Sequence, residues 1–131
     1  AVVYLDAALA QRAKYVRKMV NQLPSKMRFV AAQFNALLDD DLWIKGAQHS
    51  NQMALQLYEA TRHIPGVEFD HAPQVNSLFP QLPADAIAAL CDWCFFWDWD
   101  ISRRQVRWMT AWDTTADDVD RFAAGVRHLL G

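Results

Sequence analysis

Cys91 and Cys94 are the only cysteines, and they stand three apart in Cys91-Asp92-Trp93-Cys94. Zinc knuckles and dithiol redox sites share that spacing. A structural zinc takes four ligands, and no second cysteine pair exists, so the thiols read as small core residues near Trp93 and Phe95. His49, His63, His71 and His128 are scattered, with no nucleophile and orienting acid arranged around any of them. Arg107 carries a planar fork of donors that suits a carboxylate. On spacing alone the plainer reading is a strand arginine paired with Asp98 or Asp100 of a neighbouring strand, a surface ion pair worth about 0–1 kcal/mol. Lys18 and Arg28 fall in helical segments and read as solvated charges. Trp97, Trp99, Trp108 and Trp112 alternate along two strand-like segments, which most simply fills one face of a small sheet. A base-stacking surface would need more basic neighbours than Arg103-Arg104.

The elements that must position these residues follow from periodicity. Ala1-Val2-Val3-Tyr4-Leu5-Asp6 reads as a buried strand with no turn or cap ahead of it, as though cut from the middle of something. The spacing then predicts a helix over Ala7–Gln22, closed by Pro24, and a second helical region from an N-cap at Ser25, with Met27, Val30, Phe34 and Leu37 on one stripe. Asp39-Asp40-Asp41 either interrupts it or forms a solvated elbow. The stripe resumes over Leu42–Ile64, with a polar middle at His49-Ser50-Asn51 facing water, and ends at Pro65-Gly66. Val67–Asp70 and Val75–Phe79 read as strands, Pro83–Leu90 as a short helix, and Phe95–Trp99 and Gln105–Trp112 as a hairpin around Ser102-Arg103-Arg104. Thr115-Ala116-Asp117-Asp118 has the form of a capping box ahead of a helix with Val119, Phe122, Ala123 and Val126 on one face. The predicted class is α/β: long N-terminal helices, then a small, mainly antiparallel sheet with packed helices. The expected division is 1–62, a last strand and connecting helices, and 63–131, a small α/β domain.

Composition narrows the partners. The 131 residues are 53% hydrophobic, enough for one compact core. With 13 Lys+Arg against 15 Asp+Glu the formal charge is -2, which gives no field to attract nucleic acid or anionic lipid. No apolar run approaches a membrane span, and two cysteines fall short of the disulfide framework usual in a secreted domain. The chain reads as cytoplasmic, with no nucleic-acid or membrane partner.

Three segments together resemble the low-specificity L-threonine aldolases and the broader β-eliminating lyase group: Ser25-Lys26-Met27-Arg28-Phe29-Val30-Ala31-Ala32, Ile64-Pro65-Gly66-Val67, and Val106-Arg107-Trp108-Met109-Thr110-Ala111-Trp112-Asp113-Thr114-Thr115. They stand in the family's order, and the last is the most specific. The resemblance implies the C-terminal portion of a fold-type-I enzyme that uses pyridoxal 5'-phosphate to cleave β-hydroxy-α-amino acids, typically threonine to glycine and acetaldehyde. It implies that Arg107 grips the substrate α-carboxylate, and that Arg28 and Lys18 lie near the cofactor phosphate or the subunit interface of a homo-oligomer, dimer or tetramer. In that pattern the Schiff-base lysine comes just before a strand like Ala1–Asp6, in a loop absent from this chain. Lys14, Lys18, Lys26 and Lys45 are the lysines here, and none has that setting. The chain alone is therefore expected to be inactive. An interaction fragment, or a split-enzyme partner completed by an upstream large-domain chain, is the alternative, and self-association through uncovered apolar surface is expected of the isolated chain.

Overall fold

The computed structural model describes residues 2–131. They form two compact units, one running to Asp41 and the other from Leu42 to Gly131.

The first unit holds three helices: α1 (Ala7–Ala10), α2 (Ala13–Met19) and α3 (Met27–Leu38). Asp6 caps α1, its carboxylate accepting from the Ala8 N–H at 2.7 Å. The single helix expected over Ala7–Gln22 is broken at Gln11 and Arg12. Short helices hold together mainly through a packed face, and no described residue of this unit is buried. The expected strand at the start is also corrected. Ala1 lies outside the described residues, and residues 2–6 form no strand, with Leu5 98% exposed. A strand needs a partner, and none among the described residues pairs with it. Ser25 is not the cap of α3 either: Lys26 holds that position without a side-chain bond. The three aspartates after α3 form a 3-10 turn in which Asp40 and Asp41 take φ of 50° and 57°, a left-handed conformation that Asp tolerates better than most residues.

The second unit is built on a three-stranded sheet. Its elements are α4 (Leu42–Thr61), β1 (Ser77–Leu78), α5 (Ala84–Trp93), β2 (Trp97–Asp100), β3 (Gln105–Met109) and α6 (Ala116–Leu130). The strand order is β1-β3-β2, with both pairings antiparallel. This is the predicted class, α/β with a small antiparallel sheet and packed helices. Helix α4, grouped by sequence with the connecting helices, packs against α6 within this unit. The core joins Met53, Ala54 and Leu57 of α4, Leu90 of α5, Val119 and Val126 of α6, and Leu78, Val106 and Trp108 of the sheet. Trp108 is ringed by Phe122, Phe96 and Phe69 at centroid distances of 5.0, 6.3 and 6.3 Å, all edge-on. The Trp93 ring lies on Gly125, where any Cβ would collide with it, and stacks on Phe122, pinning α5 to α6.

The capping box is realised: Thr115 Oγ1 accepts from the Asp118 N–H at 3.1 Å, and the Asp118 carboxylate accepts from the Thr115 N–H at 3.0 Å. Two expected strands shrink. Val67–Asp70 contributes only a bridge between Glu68 and Gln81, and Val75–Phe79 pairs only at Ser77–Leu78. Pro73, Pro80 and Pro83 bound these stretches and lack the N–H that a longer ladder requires. Among the described residues no helix is long and apolar enough to cross a membrane.

Candidate carboxylate site

Strand β3 decides what its side chains can do. Val106 and Trp108 are 0% and 3% exposed and enter the core, so the period of two sends Arg107 and Met109 to the opposite face. Arg107 lies in register with Trp97 of β2. A bulge between Asp98 and Asp100 lets two residues of β2 advance against one of β3. The extra residue, Trp99, comes to the Arg107 side, with the guanidinium carbon 5.9 Å from its ring centroid. Phe79 packs on Trp99 at 4.9 Å. One Arg107 nitrogen donates to Met109 Sδ at 3.4 Å. The half-buried cation thus sits on an apolar, aromatic sheet face.

The ion pair suggested by spacing is not formed. Asp98 stands in register with Val106, whose side chain enters the core, and so not on the Arg107 face. The Asp100 carboxylate is occupied locally: Ser102 Oγ donates to it at 2.6 Å and the Arg103 N–H at 3.3 Å. Those bonds, the Ser102 hydroxyl first, hold its carboxyl below the usual carboxylate range. Among the described residues the ion pairs are Arg62–Glu59 and Arg103–Asp70, and Arg107 has no carboxylate partner.

The end of β3 is tied down by residues that sequence reasoning left out of the site. Thr110 Oγ1 donates to the Ser50 carbonyl at 2.7 Å, Asn76 Nδ2 donates to the Thr110 carbonyl at 2.7 Å, and His49 Nε2 donates to the Thr114 carbonyl at 2.7 Å. Thr114 Oγ1 in turn accepts from the Ala111 N–H at 2.8 Å. His49 and Ser50, expected to face water, are half-buried and buried. Their partners lie 65 and 60 residues away in sequence, and no local pattern announces such a pairing.

Trp108 lies in the core, Trp97 and Trp99 lie on the outer face at 64% and 58% exposure, and Trp112 falls beyond β3, so the four tryptophans do not fill a single face. Cys94 is exposed and Cys91 half-buried, so only Cys91 approaches the core role expected of both. In the first unit Lys18 sits in the last turn of α2 and Arg28 in the first turn of α3; both are exposed, with Arg28 over the Phe29 ring at 5.0 Å, and neither makes an ion pair among the described residues.

No family model matches the chain. Two curated relatives do: the low-specificity L-threonine aldolase of Pseudomonas aeruginosa, 35% identical over the whole of this chain, and that of a Pseudomonas species, 34% identical over 99% of it. A solved threonine aldolase of Leishmania major superposes with a TM-score of 0.84 at 26% identity, covering 97% of this chain. The chain matches the C-terminal part of a threonine aldolase. It spans 38% of the length of each of these relatives. Arg107 is half-buried, whereas Arg62, Arg103, Arg104, Arg121 and Arg127 of Leu42–Gly131 are exposed. Lys45, the one lysine of this unit, is exposed on α4 and makes no ion pair among the described residues.

Proposed function

We propose that this chain is the substrate-carboxylate-binding part of a pyridoxal-phosphate lyase that cleaves β-hydroxy-α-amino acids, threonine to glycine and acetaldehyde among them. One observation carries the reading: Arg107 presents a guanidinium with no carboxylate of its own, on the outer face of a sheet whose inner face is fixed in the core. An arginine fork binds a carboxylate through two parallel, charge-assisted hydrogen bonds. A cation already resting on Trp99 loses little freedom when it does so.

Pyridoxal phosphate, when bound, supplies the electron sink for breaking the Cα–Cβ bond. The part played by this chain is orientation. Gripping the carboxylate fixes the rotation about Cα and so decides which bond stands where cleavage is favoured. Lys18 and Arg28 are assigned to the cofactor phosphate or the subunit interface by the family pattern alone. The exposed apolar side chains of the first unit are read as surface that a large domain or a second subunit covers; the Schiff-base lysine would come from that large domain, leaving the 131-residue chain inactive by itself.

The test uses the protein at the full length its gene encodes. Arg107→Gln is expected to lower kcat/KM for threonine about 100-fold, mostly through KM, as loss of a charge-paired carboxylate contact does. The visible absorbance of the bound cofactor should be unchanged. Unaltered kinetics for threonine would sink the proposal.

A further inference from the structure

The surroundings of Arg107 say what kind of carboxylate it takes. Trp97, directly across the strand pair, Trp99, under the guanidinium, and Met109, two residues along β3, present large apolar side chains on one face, each more than half exposed. Trp97 is in register with Arg107, and the alternation of side chains along β2 returns Trp99 to the same face. A small, polar ligand would leave this surface wet. An anion carrying a ring would hold its charge on Arg107 and bury its ring against the two indoles.

We infer that the sheet face around Arg107 selects amino acids with a large apolar or aromatic group on the β-carbon over those with a methyl group. The inference rests on Arg107 as the carboxylate ligand and deepens that reading by naming Trp97 and Met109 as specificity residues. Both side chains are exposed and outside the core, so their truncation leaves the fold in place. Trp99 is set aside as a test position because it also supports Arg107 and packs on Phe79.

The experiment is calorimetric titration of the gene-length protein with two simple probes, 3-phenylpropanoate and propanoate, which share a carboxylate and differ by a ring. Burying a ring on an aromatic wall should make phenylpropanoate bind about tenfold tighter or more. Trp97→Ala should cut that preference severalfold while leaving propanoate affinity as it was, and Met109→Ala, which also removes the sulfur that holds an Arg107 nitrogen, should cut the preference while weakening both probes. Equal affinities for the two probes, or a preference untouched by both substitutions, overturn the inference and leave the carboxylate reading standing. Arg107→Gln should weaken both probes alike; no change in either, or no binding of either probe to the unsubstituted protein, defeats the carboxylate reading as well.

Discussion

The two units spend their apolar residues in opposite ways. Helix α3 carries Phe34 and Leu37 at helical spacing, yet they are 41% and 48% exposed; Leu90, Val106 and Val126 of the second unit are 0% exposed. Periodicity says which side of a helix is apolar, but a core also needs something to close against that side. The second unit has a sheet with three helices packed around it, whereas the described residues of the first form three helices and no sheet. The buried core of the described residues therefore lies in Leu42–Gly131, and the apolar side chains of the first unit stay exposed.

That contrast can be broken most directly at the core. In the 131-residue chain, Leu90→Ala should cost about 2–5 kcal/mol in chemical denaturation, while Leu37→Ala should stay within about 0.5 kcal/mol; similar losses would erase the distinction. Uncovered surface in the first unit should also make the isolated chain self-associate, and Phe34→Glu with Leu37→Lys should return it to a monomer in sedimentation. A monodisperse monomer before substitution would count against the covered-surface reading. A smaller effect sharpens the picture of the second unit: Thr115→Ala removes one half of the α6 cap and should cost about 1 kcal/mol.

The smallest effect is a pH dependence of the same cap. The Thr115 hydroxyl, donating to the Asp118 carboxylate at 2.6 Å, and then the Thr115 N–H hold the Asp118 carboxyl below its usual value of 3.8. A depressed pKa contributes stability that is fully present above the unfolded value and is lost as pH falls through the folded one. Thermal melts from pH 5 downward should show this loss in the unsubstituted chain and less of it in Asp118→Asn. Identical pH profiles would remove the carboxylate from the cap's energetics.

Legibility in the sequence followed the range of the interactions. Helix α6 and its cap were readable because Thr115 and Asp118 stand three apart and the apolar stripe that follows is regular. The hairpin of β2 and β3 was readable from its polar turn, and Arg107 was singled out there. Its surroundings were not: the register sets Asp98 against Val106, and the Asp100 carboxylate is taken by the Ser102 hydroxyl and the Arg103 N–H. The anchoring of β3 by His49, Ser50 and Asn76 depends on contacts between residues far apart in sequence. The opening segment misled because a β-branched run is read as a strand whether or not a partner exists to pair with it.

The most direct measurement of the central claim is a cycle of two ligands and two proteins: glycine and glycinamide, each titrated into the gene-length protein and into Arg107→Gln. If Arg107 holds the carboxylate, the substitution weakens glycine about 100-fold and leaves glycinamide nearly unchanged. Equal weakening of both ligands would mean that Arg107 acts on the fold or the cofactor rather than on the carboxylate, and would contradict the account.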